Sequence, residues 1–367
     1  MSDNLRRYRA ISDTLRQLYP AALTKRQTRH LCTLAALISG IVGSRQTHLP
    51  AIASKVPDRT QRESRIKRFH RWLANEHVSP DLSFLPFAQA LLRSLAHLPL
   101  VLVIDGSTVG RGCVALVVSL VYQQRALPIA WLVVTGRKGH FAEETHIGLV
   151  QRVQTLIPAE ATVIFLGDGE FDGPGLQACL SAIGWSYICR TARNIQILSE
   201  GEWLTLGDLY LKPGQVVGLA EVYMTGQEYG PVLVLAWWAR GHAEPLYLVT
   251  NLELVEEACW WYRKRFKIET FFSDQKSRGF QMHRSHLAAP ARLMRLLLAA
   301  CLAYLWMIYL GVLAQRDGWM RAIHRSDRCD LSLFQLGFAL LEHLLNEGLP
   351  IPVAFRPPDL MSSESVR

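Results

Sequence analysis

The stretch LPLVLVIDGSTVGRGCVALVVSLVYQQRALPIAWLVVTG, residues 98–136, decides the fold. It contains three apolar runs, 98–106, 113–123 and 127–136, joined by short links of Gly, Arg and Gln. Runs of this length, rich in Val, Ile and Leu and bounded by turn residues, predict an antiparallel meander. Beyond it the texture alternates: a helix over 143–156, a strand over 162–167, a helix over 175–183 and a strand over 186–191. Before it, residues 1–95 show no two-residue alternation and read as helices over 8–18, 25–43, 48–54, 62–74 and 84–95.

Three antiparallel strands followed by helix, strand, helix, strand is the order of a ribonuclease-H-like mixed sheet, an α/β class in which the first and fourth strands lie side by side. Neighbouring strands are about 4.8 Å apart, so acids at the same ends of those two strands face each other. Asp105 and Asp168 occupy those ends. Asp105 precedes Gly106 and is open to a simpler reading as a turn residue. Asp168 has rivals in Glu170 and Asp172, and is preferred because it directly follows the apolar strand.

Residues 195–250 are again strand-like, with runs at 202–206, 215–224, 232–238 and 246–249. They predict a β insertion, after which the core resumes in one long helix. Thr250 with Glu253 forms a capping-box pattern at its start, and Lys276, Arg278 and Gly279 mark its end. The expected organisation is a helical basic N-terminal domain (1–95), a core in two parts (96–194 and 251–312), the insertion (195–250) and a helical C-terminal region (313–367) that could serve dimerisation.

With 367 residues, half of them apolar, large-scale disorder is excluded. Seven scattered cysteines with no C-x-x-C pair offer neither a disulfide framework nor a structural zinc site, and fit a reducing cytoplasm. No apolar segment follows the charged start, so no secretory signal is read. Residues 296–314 carry no charge and are long enough to span a bilayer, but Cys301, Tyr304, Trp306 and Tyr309 at mid-span favour a buried core helix. A last helix is expected around 332–346, and the tail from Pro357 should fray.

Charge is unevenly placed. Residues 1–95 hold sixteen Lys and Arg against six Asp and Glu, whereas the remainder holds twenty-four against twenty-five. A basic module beside a neutral core suits a polyanion partner. In residues 62–74, Arg62, Arg65, Lys67, Arg68 and Arg71 surround apolar Ile66, Phe69, Trp72 and Leu73 at helical spacing, so one face can pack while the other meets phosphates. With the short helix before Pro57 this segment could form a loose helix-turn-helix.

On an unbroken helix at about 100° per residue, Tyr262, Arg265, Glu269 and Lys276 fall within one arc of about 60°. An acid flanked by a phenol, a guanidinium and an ammonium suits phosphodiester chemistry. In-line attack at phosphorus is served by two cations about 4 Å apart. Asp105, Asp168 and Glu269 are the expected ligands for two Mg²⁺ ions, with Mn²⁺ able to substitute. Glu269 could instead be an exposed acid paired with Arg265 four residues earlier. Trp260 and Trp261 are expected in the core, and His140, His146 and His242 as solvated or capping residues.

The segment YRKRFKIETFFSDQK, residues 262–276, resembles the Y-R-E-K signature of bacterial insertion-sequence transposases of the Asp-Asp-Glu type, insertion-sequence family four. VIDGST around Asp105, FLGDGEFDG around Asp168, the basic segment 25–44 and the tail segment 324–337 are similar to that family as well. The resemblance implies an enzyme that cuts transposon terminal inverted repeats and joins them to target DNA. It implies catalytic Asp105, Asp168 and Glu269, with Tyr262, Arg265 and Lys276 on DNA near the cleaved end. Arg190, in YICRTARN, would grip terminal phosphates. Tyr247, or failing it Trp237 or Trp238, would stack on a flipped base in a hairpin step. A homodimer on DNA in the bacterial nucleoid follows by the same analogy. A catalytically silent DNA-binding descendant and a host nuclease of similar fold are the alternatives.

Overall fold

The computed structural model describes residues 1–18, 23–78, 80–139, 141–325 and 328–358. The first region is helical: α1 (Asp3–Gln17), α2 (Lys25–Ser44), α3 (Leu49–Ser54), α4 (Arg62–Ala74) and α5 (Pro80–Leu95). α2 starts at a capping box in which Thr24 and Gln27 satisfy each other's backbone N–H groups, and buries the continuous run from Thr33 to Val42. Seven residues separate α3 from α4, a longer link than the three or four of a helix-turn-helix.

The meander follows as expected: β1 (Leu100–Val109), β2 (Cys113–Tyr122) and β3 (Arg125–Thr135). Next come α6 (Glu143–Gln154), β4 (Val163–Gly167), α7 (Pro174–Ala182), β5 (Ser186–Thr191), β6 (Gln196–Ser199), β7 (Glu202–Thr205), β8 (Val216–Met224), β9 (Tyr229–Trp237) and β10 (Leu246–Thr250). All ten strands form one mixed sheet in the order β3-β2-β1-β4-β5-β10-β9-β8-β6-β7. β1 pairs antiparallel with β2 and parallel with β4, so the first and fourth strands are neighbours. β10 pairs antiparallel with β5, setting Leu248 opposite Arg190. The strands read as an insertion therefore continue the core sheet instead of standing apart from it.

The single long helix expected after residue 250 is not present. Thr250 belongs to β10, where its hydroxyl donates to the Tyr187 carbonyl at 2.6 Å and accepts from Leu252 N, so it caps no helix. α8 (Val255–Tyr262) starts later, with Leu254 at its N-cap. A 3₁₀ turn at Arg265–Lys267 then divides α8 from α9 (Ile268–Gln275). The tighter turn breaks the 3.6-residue period on which the predicted polar arc depends.

α10 (Pro290–Arg316) is the apolar helix, with 94% of its most apolar window buried inside the structure. It is the only helix among the described residues long and apolar enough to cross a membrane, and here it is the core helix expected. α11 (Met320–Ile323) leads to α12 (Leu333–Asn346), capped by Ser332 and Gln335. α10 and α12 approach so closely that a Cβ on Gly337 would lie 1.9 Å from the Met307 carbonyl oxygen, so glycine is required there. Arg295 of α10 is buried and donates to the carbonyls of Val78 and Leu73 at 2.8 Å, tying the helical region to the core. Residues 359–367, most of the tail expected to fray, lie outside the described residues.

Candidate active site

The parallel register of β1 and β4 matches Val103 with Leu166. Asp105 and Asp168 each lie two residues beyond that last pair, and they are near enough for Asp168 to act on the Asp105 carboxyl. Asp105 is buried, and its Oδ1 accepts from Gly106 N at 2.7 Å and from Lys138 Nζ at 2.8 Å. Burial raises the Asp105 carboxyl above the ordinary carboxylate range; Lys138 opposes the rise and Asp168 adds to it.

The rivals of Asp168 are engaged elsewhere. Asp172 accepts from Thr191 Oγ1 at 2.8 Å. Glu170 accepts from Phe141 N at 3.1 Å and lies 3.8 Å from His146 Nε2, fixing the loop that carries Lys138. Gly106 lies under that loop, and a Cβ there would meet Phe141 at 3.2 Å. His146 is thus neither solvated nor capping: it is buried against Phe171, ring centroids 4.7 Å apart. His140 lies outside the described residues.

Tyr262 and Arg265 are both buried, and both act electrostatically on the acid pair: Arg265 favours ionised Asp105, and Tyr262 feels Arg265, Arg190 and Asp168. Burial pushes the Tyr262 phenol well up. Lys276 donates to Ser107 Oγ at 2.7 Å and is held below its ordinary value by burial and then by Lys138. The structure therefore gathers Asp105, Asp168, Tyr262, Arg265, Lys276 and Arg190 around one end of β1, β4 and β5.

Glu269 does not close the set. Its side chain is 61% exposed and lies 3.6 Å from Arg265. Among the described residues no group of three His, Cys, Asp or Glu side chains stands close enough to hold a metal ion. In this structure the three acids stand as a pair plus one outlying acid. Carboxylates repel unless cations stand between them, and here Lys138 takes Asp105 while Arg265 takes Glu269. The Lys138 ammonium marks a place on Asp105 that a cation fits, and the donors across β1 and β4 are the hard oxygens that Mg²⁺ prefers.

Arg190 and Tyr247 line a shared cavity of about 480 Å³ with Gly169, Arg193 and Glu244. The fallback aromatics are otherwise occupied: Arg263 sits 5.2 Å over the Trp237 ring, and Trp238 Nε1 donates to the His242 carbonyl at 2.9 Å. Trp260, expected in the core, is 51% exposed and carries the Lys264 ammonium 3.6 Å over its ring.

In the helical region Arg65 and Arg68 are turned to Asp58, at 2.6 and 2.9 Å, and Arg65 also reaches the carbonyls of Asp58 and Ala53. Arg62 lies 3.4 Å from the Pro50 carbonyl. Sequence reasoning missed Lys138. The signal for it was GRKG after the third strand, a glycine-flanked cation in the turn that this topology folds over the end of β1.

These features define a mixed sheet with an acid pair at the ends of two parallel strands and cations around it. The chain matches the transposase DDE domain family over residues 97–306, more than half its length, and belongs to that family. A similar solved structure is the cryo-EM structure of a piggyBac transposase synaptic complex with hairpin DNA. It is 10% identical with a TM-score of 0.46, covering 99% of this chain and 84% of that one, a likeness too slight to carry an argument about function. Among curated proteins none matches.

Proposed function

We propose that this chain is an active DNA transposase of the Y-R-E-K, insertion-sequence family four kind, with a ribonuclease-H-like core, acting on terminal inverted repeats and target DNA. The single observation that carries the reading is the parallel pairing of β1 with β4, with Asp105 and Asp168 two residues past its last pair, in a chain of the transposase DDE domain family. Asp105, Asp168 and Glu269 would hold two Mg²⁺ ions, Glu269 exchanging Arg265 for an ion. Such ions, when bound, activate the attacking oxygen and stabilise the leaving one.

The chain's own groups do the rest. Tyr262, Arg265 and Lys276 orient the phosphate, and Arg190 with Tyr247 holds the strand end in its cavity. In cleavage a water oxygen forms the new bond to phosphorus as the P–O3′ bond breaks, leaving a 5′-phosphate and a 3′-hydroxyl. In joining, that hydroxyl forms the new bond and a target O3′ departs. The active form would be a homodimer on DNA in the bacterial cytoplasm.

The test is cleavage of DNA bearing the inverted repeats that flank the coding sequence. Nicking that requires Mg²⁺ or Mn²⁺ and is absent in Asp168→Asn is the expected result. Equal cutting by both proteins would sink the assignment, and binding without cutting by the unaltered protein would make it a silent descendant.

A further inference from the structure

The row of arginines on α4 invites a phosphate contact, yet Asp58 already neutralises much of it. Hydrogen bonds from Thr60 and Arg65, with Arg68 nearby, outweigh the effect of burial and hold the Asp58 carboxyl at about 2, so it stays ionised at neutral pH. Lys25, Arg26 and Arg29 of α2, with Arg71 and Trp72 of α4, line a cavity of about 600 Å³, at whose rim stands Arg68, already paired with Asp58. No acid lines it, and Lys25, Arg26, Arg29 and Arg71 are exposed with no ion pair among the described residues.

Two further features accompany this uncompensated positive charge. The first turn of α2 holds Lys25 and Arg26 and no acid, although the positive end of a helix dipole favours negative charge. Trp72 is 5% exposed, and its buried indole N–H has no acceptor. A buried donor left unpaired is unfavourable.

We infer that this α2–α4 cleft, with Lys25, Arg26, Arg29 and Arg71 as its free cations, and not the side of α4 that carries Arg62 and Arg65, is the principal phosphate-binding site of the helical region, taking consecutive backbone phosphates of duplex DNA. Its size and its number of cations exceed what one phosphate group uses. The inference rests on DNA being the partner.

The test is fluorescence anisotropy with the full chain and a labelled duplex of about 30 base pairs of arbitrary sequence, across about 50 to 200 mM salt. Arg26→Gln, Arg29→Gln and Arg71→Gln combined should weaken binding at low salt by about 100-fold. They should flatten the slope of log affinity against log salt by about 2.7, about 0.9 per lost contact. The same charge removed elsewhere, by Arg59→Gln, Lys67→Gln and Arg93→Gln combined, should weaken binding less than about fivefold and leave most of the slope. If the triple variant does not fold, each single cleft substitution should flatten the slope by about 0.9.

Unchanged affinity in the cleft variants, or an equal loss in the control, overturns the cleft while leaving the transposase reading intact, provided the unaltered protein binds and cuts. Failure of the unaltered protein to bind any duplex overturns the DNA reading itself.

Discussion

Two buried aspartates in this protein each meet a single cation at nearly the same distance, Asp105 with Lys138 at 2.8 Å and Asp274 with Arg125 at 2.7 Å. Burial lifts both carboxyls above their ordinary range. The partners differ. Lys138 is 48% exposed in a loop beyond β3, whereas Arg125 is 13% exposed at the root of β3 and its partner Asp274, on α9, is 6% exposed. A cation on an exposed loop can be traded for another ion; one clamped inside a fold cannot. The first pair is open to a competing cation and the second is enclosed.

The comparison breaks if the two pairs respond alike. Asp105→Asn should lower DNA cleavage by about 10³-fold or more, as when one member of a catalytic set is lost, while leaving the melting temperature close to that of the unaltered protein. A large thermal loss instead would make Asp105 a structural residue. Arg125→Ala should do the opposite. It leaves a buried carboxylate unpaired, at a cost of about 3–5 kcal/mol, read as a lowered denaturation midpoint; a midpoint that does not move would deny the clamp.

Asp274 sharpens the contrast by its pH dependence. Burial, partly offset by Arg125 and Arg278, raises it to about 6, against a reference value of 3.8. The folded chain therefore holds this proton more tightly than the unfolded one. Its contribution to stability is greatest below about pH 4 and is lost as pH rises through about 6, a swing of about 3 kcal/mol at most. Asp274→Asn should flatten that part of a stability–pH curve, and an unchanged slope would show that the carboxyl titrates normally. The smallest effect is expected of Lys138→Ala. Stability should shift by less than about 1 kcal/mol, while Mn²⁺ measured by calorimetry should bind about fivefold tighter or more once the competing ammonium is gone. Weaker binding would give Lys138 a different role.

Much of this was legible in the residues. The meander and the β1–β4 adjacency follow from β-branched runs and their order, because strand pairing obeys local patterning and connection rules. The ends of β1 and β4, next to which Asp105 and Asp168 stand, were legible with them. What sequence periodicity could not give was the break after Tyr262: the same apolar spacing suits a straight helix and a helix with one tight turn. Thr250 misled in the same manner, because its hydroxyl had two acceptable partners and the strand carbonyl of Tyr187 won. Counter-ions were the least readable feature. Lys138 meets Asp105 across 33 residues, and Asp58 meets Arg65 and Arg68 from a loop outside α4, so no helical or strand period encodes either contact.

The joining of β10 to β5 has a consequence for how this chain could change over time. Excising the segment between β5 and β10 would strip away β9 and leave one flank of β10 as an uncovered rim of main-chain donors and acceptors, the kind of edge through which sheets aggregate. The distal strands therefore act as a selvedge on the catalytic fabric. A shortened descendant would survive only if it wove a new border.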